Sequence, residues 1–201
     1  MKKLSLIMPG LLLSGMFMAC NNNTKDSKAV ADSANTAKDT TKTATKDTSK
    51  STASPLAVDK DDAKFAVEAA NGGMAEVELG TLAQQKASNQ KVKDFGSMMV
   101  TDHTKANDEM KALAKTKNIT LPTAISSDEQ KVKDDLSKKS GSDFDKAYVN
   151  NMIDDHKKDI KAFEDASKNC KDPDLKAFAV KTLPILKMHL DAIQKIHDSM
   201  K

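Results

Sequence analysis

Apolar residues recur at steps of three and four along most of the chain beyond residue 59, the spacing of an amphipathic α-helix. The pattern predicts four long helices, over about 59–87, 89–118, 142–169 and 172–200. A shorter helix, begun by the capping pair Ser126 and Glu129, is predicted in the longest connection and ends near Gly141. Two tight turns and one long crossover indicate an all-α fold, a four-helix bundle with a short extra helix.

The first twenty residues have the pattern of a lipoprotein signal peptide. Lys2 and Lys3 precede an apolar run that ends at Ala19, directly before Cys20. We expect residues 1–19 to be removed and Cys20 to be acylated, so that the protein is tethered to a membrane by its lipid. The expected location is the bacterial cell envelope, on the outer membrane and facing the periplasm or the cell surface. An uncleaved anchor, or an ordinary signal with an incidental cysteine, is the alternative.

Residues 20–58 are rich in Thr, Ser, Lys, Asp, Asn and Ala, and this composition predicts a disordered tether. The segment also accounts for most of the net charge. The whole chain carries +3, and all 32 of its basic residues are lysine. Residues 21–58 hold six lysines and four aspartates, whereas residues 59–201 hold 24 lysines and 25 acidic residues. The predicted bundle, residues 59–201, is therefore nearly neutral, and without arginine it is not expected to bind nucleic acid.

Four polar residues interrupt the apolar stripes, one on each long helix. They are Glu76, His103, His156 and His189. Counted from the nearest turn, each lies about 12 to 18 residues into its helix, so all four are expected near one level of the bundle. Three imidazoles and a carboxylate at one level are a plausible ligand set for copper, zinc or iron.

Residues that flank these positions suggest an outer shell for such a metal. The phrase Phe95-x3-Met99-x2-Asp102-His103 recurs as Tyr148-x3-Met152-x2-Asp155-His156. Asp102 and Asp155 are predicted to orient imidazoles on neighbouring helices. The thioethers of Met99, Met152 and Met188 lie within about one turn of a histidine, which favours copper.

Two interpretations of the four polar residues stay open at this point. The first is a metal-binding envelope protein. The second is a structural or interaction module, in which the same residues form a metal-free buried network that fixes helix register. Catalysis is not expected, since the chain has no glycine-rich phosphate loop and no nucleophile elbow.

The stretch Phe65 to Met200 resembles a ferritin-like bacterial envelope domain family of unknown function, often labelled predicted outer membrane protein. The resemblance rests on Ala75-Glu76-Val77-Glu78-Leu79-Gly80, Met99-Val100-Thr101-Asp102-His103, Phe144-Asp145-x2-Tyr148, Met152-x3-His156 and Leu183-Pro184-x4-His189-Leu190. It implies a ferritin-like bundle exported to the envelope, frequently as a lipoprotein, with no established activity. The paired Glu-x-x-His motifs of true ferritins do not occur in this sequence, which argues against ferroxidase chemistry.

Overall fold

The computed structural model describes residues 26–43 and 58–200, and every regular element in these ranges is helical. The helices are α1 (Ser27–Thr43), α2 (Lys60–Lys86), α3 (Gln90–Thr116), α4 (Ser127–Ser137), α5 (Gly141–Asn169) and α6 (Pro173–Asp198). The predicted all-α bundle with a short helix in the crossover is confirmed. Each of the four long helices begins and ends within two residues of its predicted bounds.

Side-chain caps fix where the helices begin. Asp59, Asn89, Ser126 and Asp172 each accept a hydrogen bond from a backbone N–H in the first turn of the helix that follows. Such caps satisfy donors that a helix leaves unpaired at its start. Pro173 occupies the first position of α6, where its fixed φ angle suits the helix and its missing N–H is not needed.

Two buried aspartates join the α2–α3 hairpin to the α5–α6 hairpin. The Asp145 carboxylate on α5 accepts hydrogen bonds from the backbone N–H groups of Ser88 (3.0 Å) and Asn89 (2.9 Å), in the α2–α3 turn. The Asp62 carboxylate on α2 accepts from the N–H groups of residues 171 and 172, in the α5–α6 turn. Each hairpin therefore holds the turn of the other, and α2 runs antiparallel to α5.

The crossover runs the length of the bundle, alongside α2. Ser126, at the start of α4, donates its backbone N–H to the Asn71 side chain (2.8 Å). Further along, the Lys133 ammonium bonds the Glu78 carboxylate (2.7 Å), and the Lys86 side chain bonds the carbonyl of Ser137. α4 thus follows the direction of α2 and delivers the chain to the opposite end of the bundle, where α5 begins.

The apolar core consists of two clusters, one toward each end of the bundle. The cluster toward the start of α2 includes Ala66, Met110, Phe163, Phe178 and Leu186. The cluster toward the α2–α3 turn includes Leu79, Phe95, Met99, Tyr148, Met152 and Ile193. On each of α3, α5 and α6, one histidine (His103, His156 and His189, in that order) lies between the residues of the two apolar clusters. The predicted level of polar residues therefore separates the two clusters.

Helix α1 lies in the segment that was predicted to be a disordered tether, and for Ser27–Thr43 that prediction is wrong. The side chain of Asn35 is 5% exposed; it donates to the carbonyl of Thr120 and accepts from its N–H, both at 2.8 Å. Lys28 pairs with Glu68 of α2 at 2.8 Å. Composition missed this helix because specific polar contacts and a small buried Ala31, rather than a large apolar face, hold it to the bundle.

The signal peptide and the acylation residue Cys20 lie outside the described residues. Within the described ranges, no helix combines the length and the apolar character that crossing a bilayer requires.

Glycines bring α2 and α3 into close contact. A β-carbon on Gly80 would lie 2.6 Å from the carbonyl oxygen of Gly96, and one on Gly96 would lie 2.7 Å from that of Gly80. Real β-carbons do not approach backbone oxygens so closely, so only glycine fits at these two positions.

We expect Gly80→Ala to lower the free energy of unfolding by about 1–3 kcal/mol, because the added methyl group forces the two backbones apart. Chemical denaturation monitored by circular dichroism measures the change. Gly72→Ala on the same helix is the matched control, since its β-carbon would lie 3.7 Å from the nearest atom, on Asp159. Alanine there should be neutral or stabilising by up to about 1 kcal/mol. Equal effects at the two positions would contradict the close-contact explanation.

Candidate metal centre

The four long helices bring the predicted polar residues together at one level of the bundle. Glu76 comes from α2, His103 from α3, His156 from α5 and His189 from α6, and none of them is more than 5% exposed. Each histidine offers a ring nitrogen, and the three nitrogens lie within 4.8 Å of one another. The ring centroids are 5.3 to 6.0 Å apart. The predicted convergence of the three histidines is therefore present in the structure.

One nitrogen of each imidazole is held by an oxygen acceptor. His189 Nε2 donates to Asp102 Oδ2 at 2.8 Å, and His156 Nδ1 donates to the carbonyl oxygen of Met152, one turn earlier on α5, also at 2.8 Å. His103 Nδ1 lies 2.8 Å from Glu76 Oε2. The two hydrogen bonds fix the ring orientations and the tautomers of His156 and His189, since carboxylate and carbonyl oxygens only accept, and the contact with an ionised Glu76 does the same for His103.

The other nitrogen of each imidazole is buried without a hydrogen-bond partner. Five side-chain atoms in the described residues have this property, and His103 Nε2, His156 Nε2 and His189 Nδ1 are three of them. A buried polar atom that makes no hydrogen bond costs about 1–3 kcal/mol. Where the nitrogen next to the acceptor carries the proton, the unpartnered nitrogen of the same ring has a free lone pair. The cluster thus holds three neutral imidazoles, each with one buried nitrogen available as a donor.

Burial sets the charge of the cluster. Removal from water lowers the pKa of all three imidazoles, that of His103 to about 4. Burial also raises the pKa of the Glu76 carboxyl to about 7, opposed by its attraction to His156. The imidazoles are therefore neutral at pH 7, the form in which histidine binds a metal.

Glu76 differs from its predicted place as a fourth metal ligand. Its Oε2 atom accepts the hydrogen bond from His103, and its Oε1 atom lies 3.5 Å from His156 Nδ1, the nitrogen that already bonds Met152. Glu76 therefore faces the protonated sides of the rings and orients His103. Asp102 orients His189 of a neighbouring helix, as the sequence pattern predicts.

Two of the predicted outer-shell residues do not reach the cluster. Asp155 accepts hydrogen bonds from Asn151 and Lys158 instead of an imidazole, although it precedes His156 as Asp102 precedes His103. Met188 is 50% exposed, so its thioether does not face the buried histidines and gives no reason to prefer copper as the metal. Met99 and Met152 are fully buried and belong to the apolar cluster toward the α2–α3 turn.

Asp159 also belongs to this polar level, although the sequence pattern does not predict it. Together with Glu76 and His103 it lines a small cavity of about 20 Å³. Burial raises the pKa of its carboxyl well above the usual value, and repulsion from Glu76 adds to this effect. Its position three residues after His156, on the same face of α5, is the signal that could have indicated it.

A cavity between α3 and α6 reaches the imidazoles from the side. It has a volume of about 90 Å³ and is lined in part by Asp102, His103, Thr182 and His189. Two of the three histidines therefore adjoin a space that holds a few water molecules or a small ligand.

The fold and this cluster define an all-α helical-bundle protein with three histidines converging in its core. The chain belongs to the family described as a domain of unknown function (DUF4142), which matches residues 47–196. No curated protein and no solved structure matches this chain. Membership in a family of unknown function is thus confirmed, whereas the ferritin-like and lipoprotein features that the resemblance implies stay predictions.

We expect the buried His103 imidazole of the metal-free protein to contribute a loss of stability on acidification. An unfolded histidine has a pKa of about 6.5, whereas burial holds that of His103 near 4. Between these values the unfolded state binds a proton that the folded state does not, so the contribution of this residue to the free energy of unfolding falls as the pH is lowered. The loss from pH 7 to pH 4 is on the order of 3 kcal/mol for this residue. Urea denaturation across this range measures it.

Glu76 acts in the opposite direction, since its raised pKa makes the folded state the better proton binder between about pH 4.5 and 7. A His103→Gln variant removes the imidazole whose pKa is lowered by burial and keeps Glu76. From pH 7 to pH 4 the free energy of unfolding of this variant should shift in the stabilising direction relative to that of the wild type, by about 3 kcal/mol. Equal shifts in the two proteins would contradict the role of the buried imidazole.

Proposed function

We propose that this protein is a lipid-anchored envelope protein that binds one divalent transition-metal ion through His103, His156 and His189. Glu76, Asp102 and the carbonyl of Met152 orient these ligands. The cavity beside His103 and His189 provides room for a water molecule or a small ligand in a further coordination position.

The unpartnered imidazole nitrogens are the observation that supports metal binding. In each ring the proton is directed outward to an oxygen acceptor, which leaves the lone pair of the second nitrogen directed elsewhere. Metal-ligating histidines in proteins are oriented by this kind of second hydrogen bond. No protein group in the described residues pairs with these three buried nitrogens, and a bound cation would satisfy all three at once.

The donor set indicates the class of metal. Imidazole suits zinc, copper, iron and nickel, and three histidines with an open position are a known zinc arrangement. Because the ligands are neutral, a divalent ion keeps its charge in the core, and the carboxylates of Glu76 and Asp102 balance that charge through the rings. We therefore take zinc as the first candidate and copper and iron as alternatives.

Loss of His103 and His156 should abolish metal binding. We expect the wild type to bind Zn²⁺ with one-to-one stoichiometry by isothermal titration calorimetry, and a His103→Ala/His156→Ala variant to bind at least about 100-fold more weakly. The reason is that a single remaining imidazole cannot hold the ion. Elemental analysis of protein purified without added metal provides a second, independent measurement of the bound metal.

The exposed fourth histidine provides the matched control. His197 lies near the end of α6, its side chain is 40% exposed, and a His197→Ala variant should bind Zn²⁺ like the wild type. Circular dichroism verifies that each variant is folded. Equal metal content in the wild type and the double variant would overturn the proposal.

The lipid anchor is supported by the N-terminal pattern alone. Lys2 and Lys3, the following apolar run and Ala19-Cys20 fit the signal of a bacterial lipoprotein. Acyl chains on Cys20 would hold the bundle at a membrane surface, with the segment after the cysteine as a spacer.

A Cys20→Ala variant should lose the anchor. Expressed with an alkyne-labelled fatty acid, the wild type should incorporate the label and partition with membranes, whereas the variant should remain unlabelled. Cys170→Ala is the control, because the Cys170 side chain is buried and should not be acylated. Equal labelling of the wild type and Cys20→Ala would contradict acylation at this residue.

A further inference from the structure

A carboxylate-lined cavity lies between α2, α4 and α5, beside Glu76. Its volume is about 240 Å³. The acidic residues that line it are Glu68, Glu76, Glu129, Asp155 and Asp159, and the only basic residue that lines it is Lys158. Acidic residues from three different helices therefore line one cavity.

Most of this negative charge is not balanced by neighbouring cations. Glu68 is paired with Lys28 at 2.8 Å. Lys158 contacts Asp155 at 3.3 Å, but its own side chain is 76% exposed. Within the ranges 26–43 and 58–200, the carboxylates of Glu129 and Asp159 accept no hydrogen bond. Burial and mutual repulsion raise the pKa of both carboxyls, which agrees with an excess of negative charge in this cavity.

Glu76 supplies a buried oxygen atom that lacks a partner. The residue is 3% exposed, its Oε2 atom is engaged by His103, and its Oε1 atom makes no hydrogen bond. His156 Nδ1 lies 3.5 Å from Oε1, but it donates its hydrogen bond to the carbonyl of Met152. Since Glu76 lines the carboxylate cavity, this oxygen is the natural ligand atom for a cation bound there.

We propose that this cavity is a second cation site, in which Glu76, Glu129, Asp155 and Asp159 bind one partly hydrated divalent cation. The cation belongs to the class that prefers oxygen ligands, which includes Mn²⁺, Ca²⁺ and Mg²⁺. Carboxylates and water are the ligands of these ions, and a space of this size holds the ion together with several of its waters.

The second site is chemically distinct from the three-histidine cluster. It offers oxygen atoms where the cluster offers nitrogen atoms, and it lies among α2, α4 and α5, whereas the histidines come from α3, α5 and α6. Glu76 is the residue that the two share, since it contacts His103 and also lines the cavity. The inference does not depend on metal binding by the histidines, because its own ligands remain in place whether or not that proposal holds.

Mn²⁺ is the probe that tests the second site, since the electron paramagnetic resonance signal of free Mn²⁺ is lost when the ion binds. The full-length protein should bind one Mn²⁺ at pH 7. A Glu129→Gln/Asp159→Asn variant should bind Mn²⁺ at least tenfold more weakly. Glu78→Gln is the matched control: Glu78 is on α2, two residues from Glu76, but it pairs with Lys133 and does not line the cavity. This control should match the wild type.

A His189→Ala variant separates the two proposals. Mn²⁺ binding to this variant should match the wild type, because His189 does not line the carboxylate cavity, whereas Zn²⁺ binding should weaken. Failure of Zn²⁺ binding in the wild type would overturn the histidine proposal and leave this one standing. The carboxylate site is overturned if the wild type binds no Mn²⁺, if Glu129→Gln/Asp159→Asn binds it like the wild type, or if His189→Ala loses it.

Thermal unfolding provides a second measurement on the same variants. Without metal, Glu129→Gln/Asp159→Asn should melt no lower than the wild type, because it removes repelling charges and keeps the side-chain shapes. Added Mn²⁺ should raise the melting temperature of the wild type and of Glu78→Gln, but not that of the double variant. A Mn²⁺-dependent rise of equal size in the double variant would overturn the site.

Discussion

The burial of three imidazoles at one level of the bundle is the constraint on which the other features of the core depend. Apolar clusters on both sides bury the rings, and this burial holds them neutral and makes each unmade hydrogen bond costly. Three acceptors on α2, α3 and α5 therefore hold one nitrogen of each ring. The three rings converge, with one nitrogen of each within 4.8 Å of the other two, and the contacts with these acceptors fix how each ring is turned.

Glu76 connects the two parts of the polar core. Its Oε2 atom contacts His103, and the residue also lines the carboxylate cavity. A cation bound to Oε1 would withdraw electron density from Oε2 and weaken its hold on the imidazole. Occupancy of the proposed carboxylate site would thereby be linked to the donor strength of His103 through a single side chain.

The sequence period predicted the long helices and the common level of the histidines, because helical rise and turn length alone determine depth in a bundle. It did not predict which way each polar side chain turns. Asp102 and Asp155 occupy matching places in a repeated phrase, yet only Asp102 meets an imidazole, that of His189 on α6. Asp155 bonds Asn151 and Lys158 of its own helix. Helix α1 and the role of Asp159 were missed for the same reason, as both depend on contacts between residues far apart in the chain.

The exchange of aspartates between the two hairpins has a consequence for how the chain acquires its structure. The α2–α3 turn is completed by Asp145 of α5, and the α5–α6 turn is completed by Asp62 of α2. Neither hairpin on its own contains the carboxylate that satisfies the N–H groups of its turn. Folding in separate halves is therefore disfavoured, and the two hairpins should form and melt as one cooperative unit.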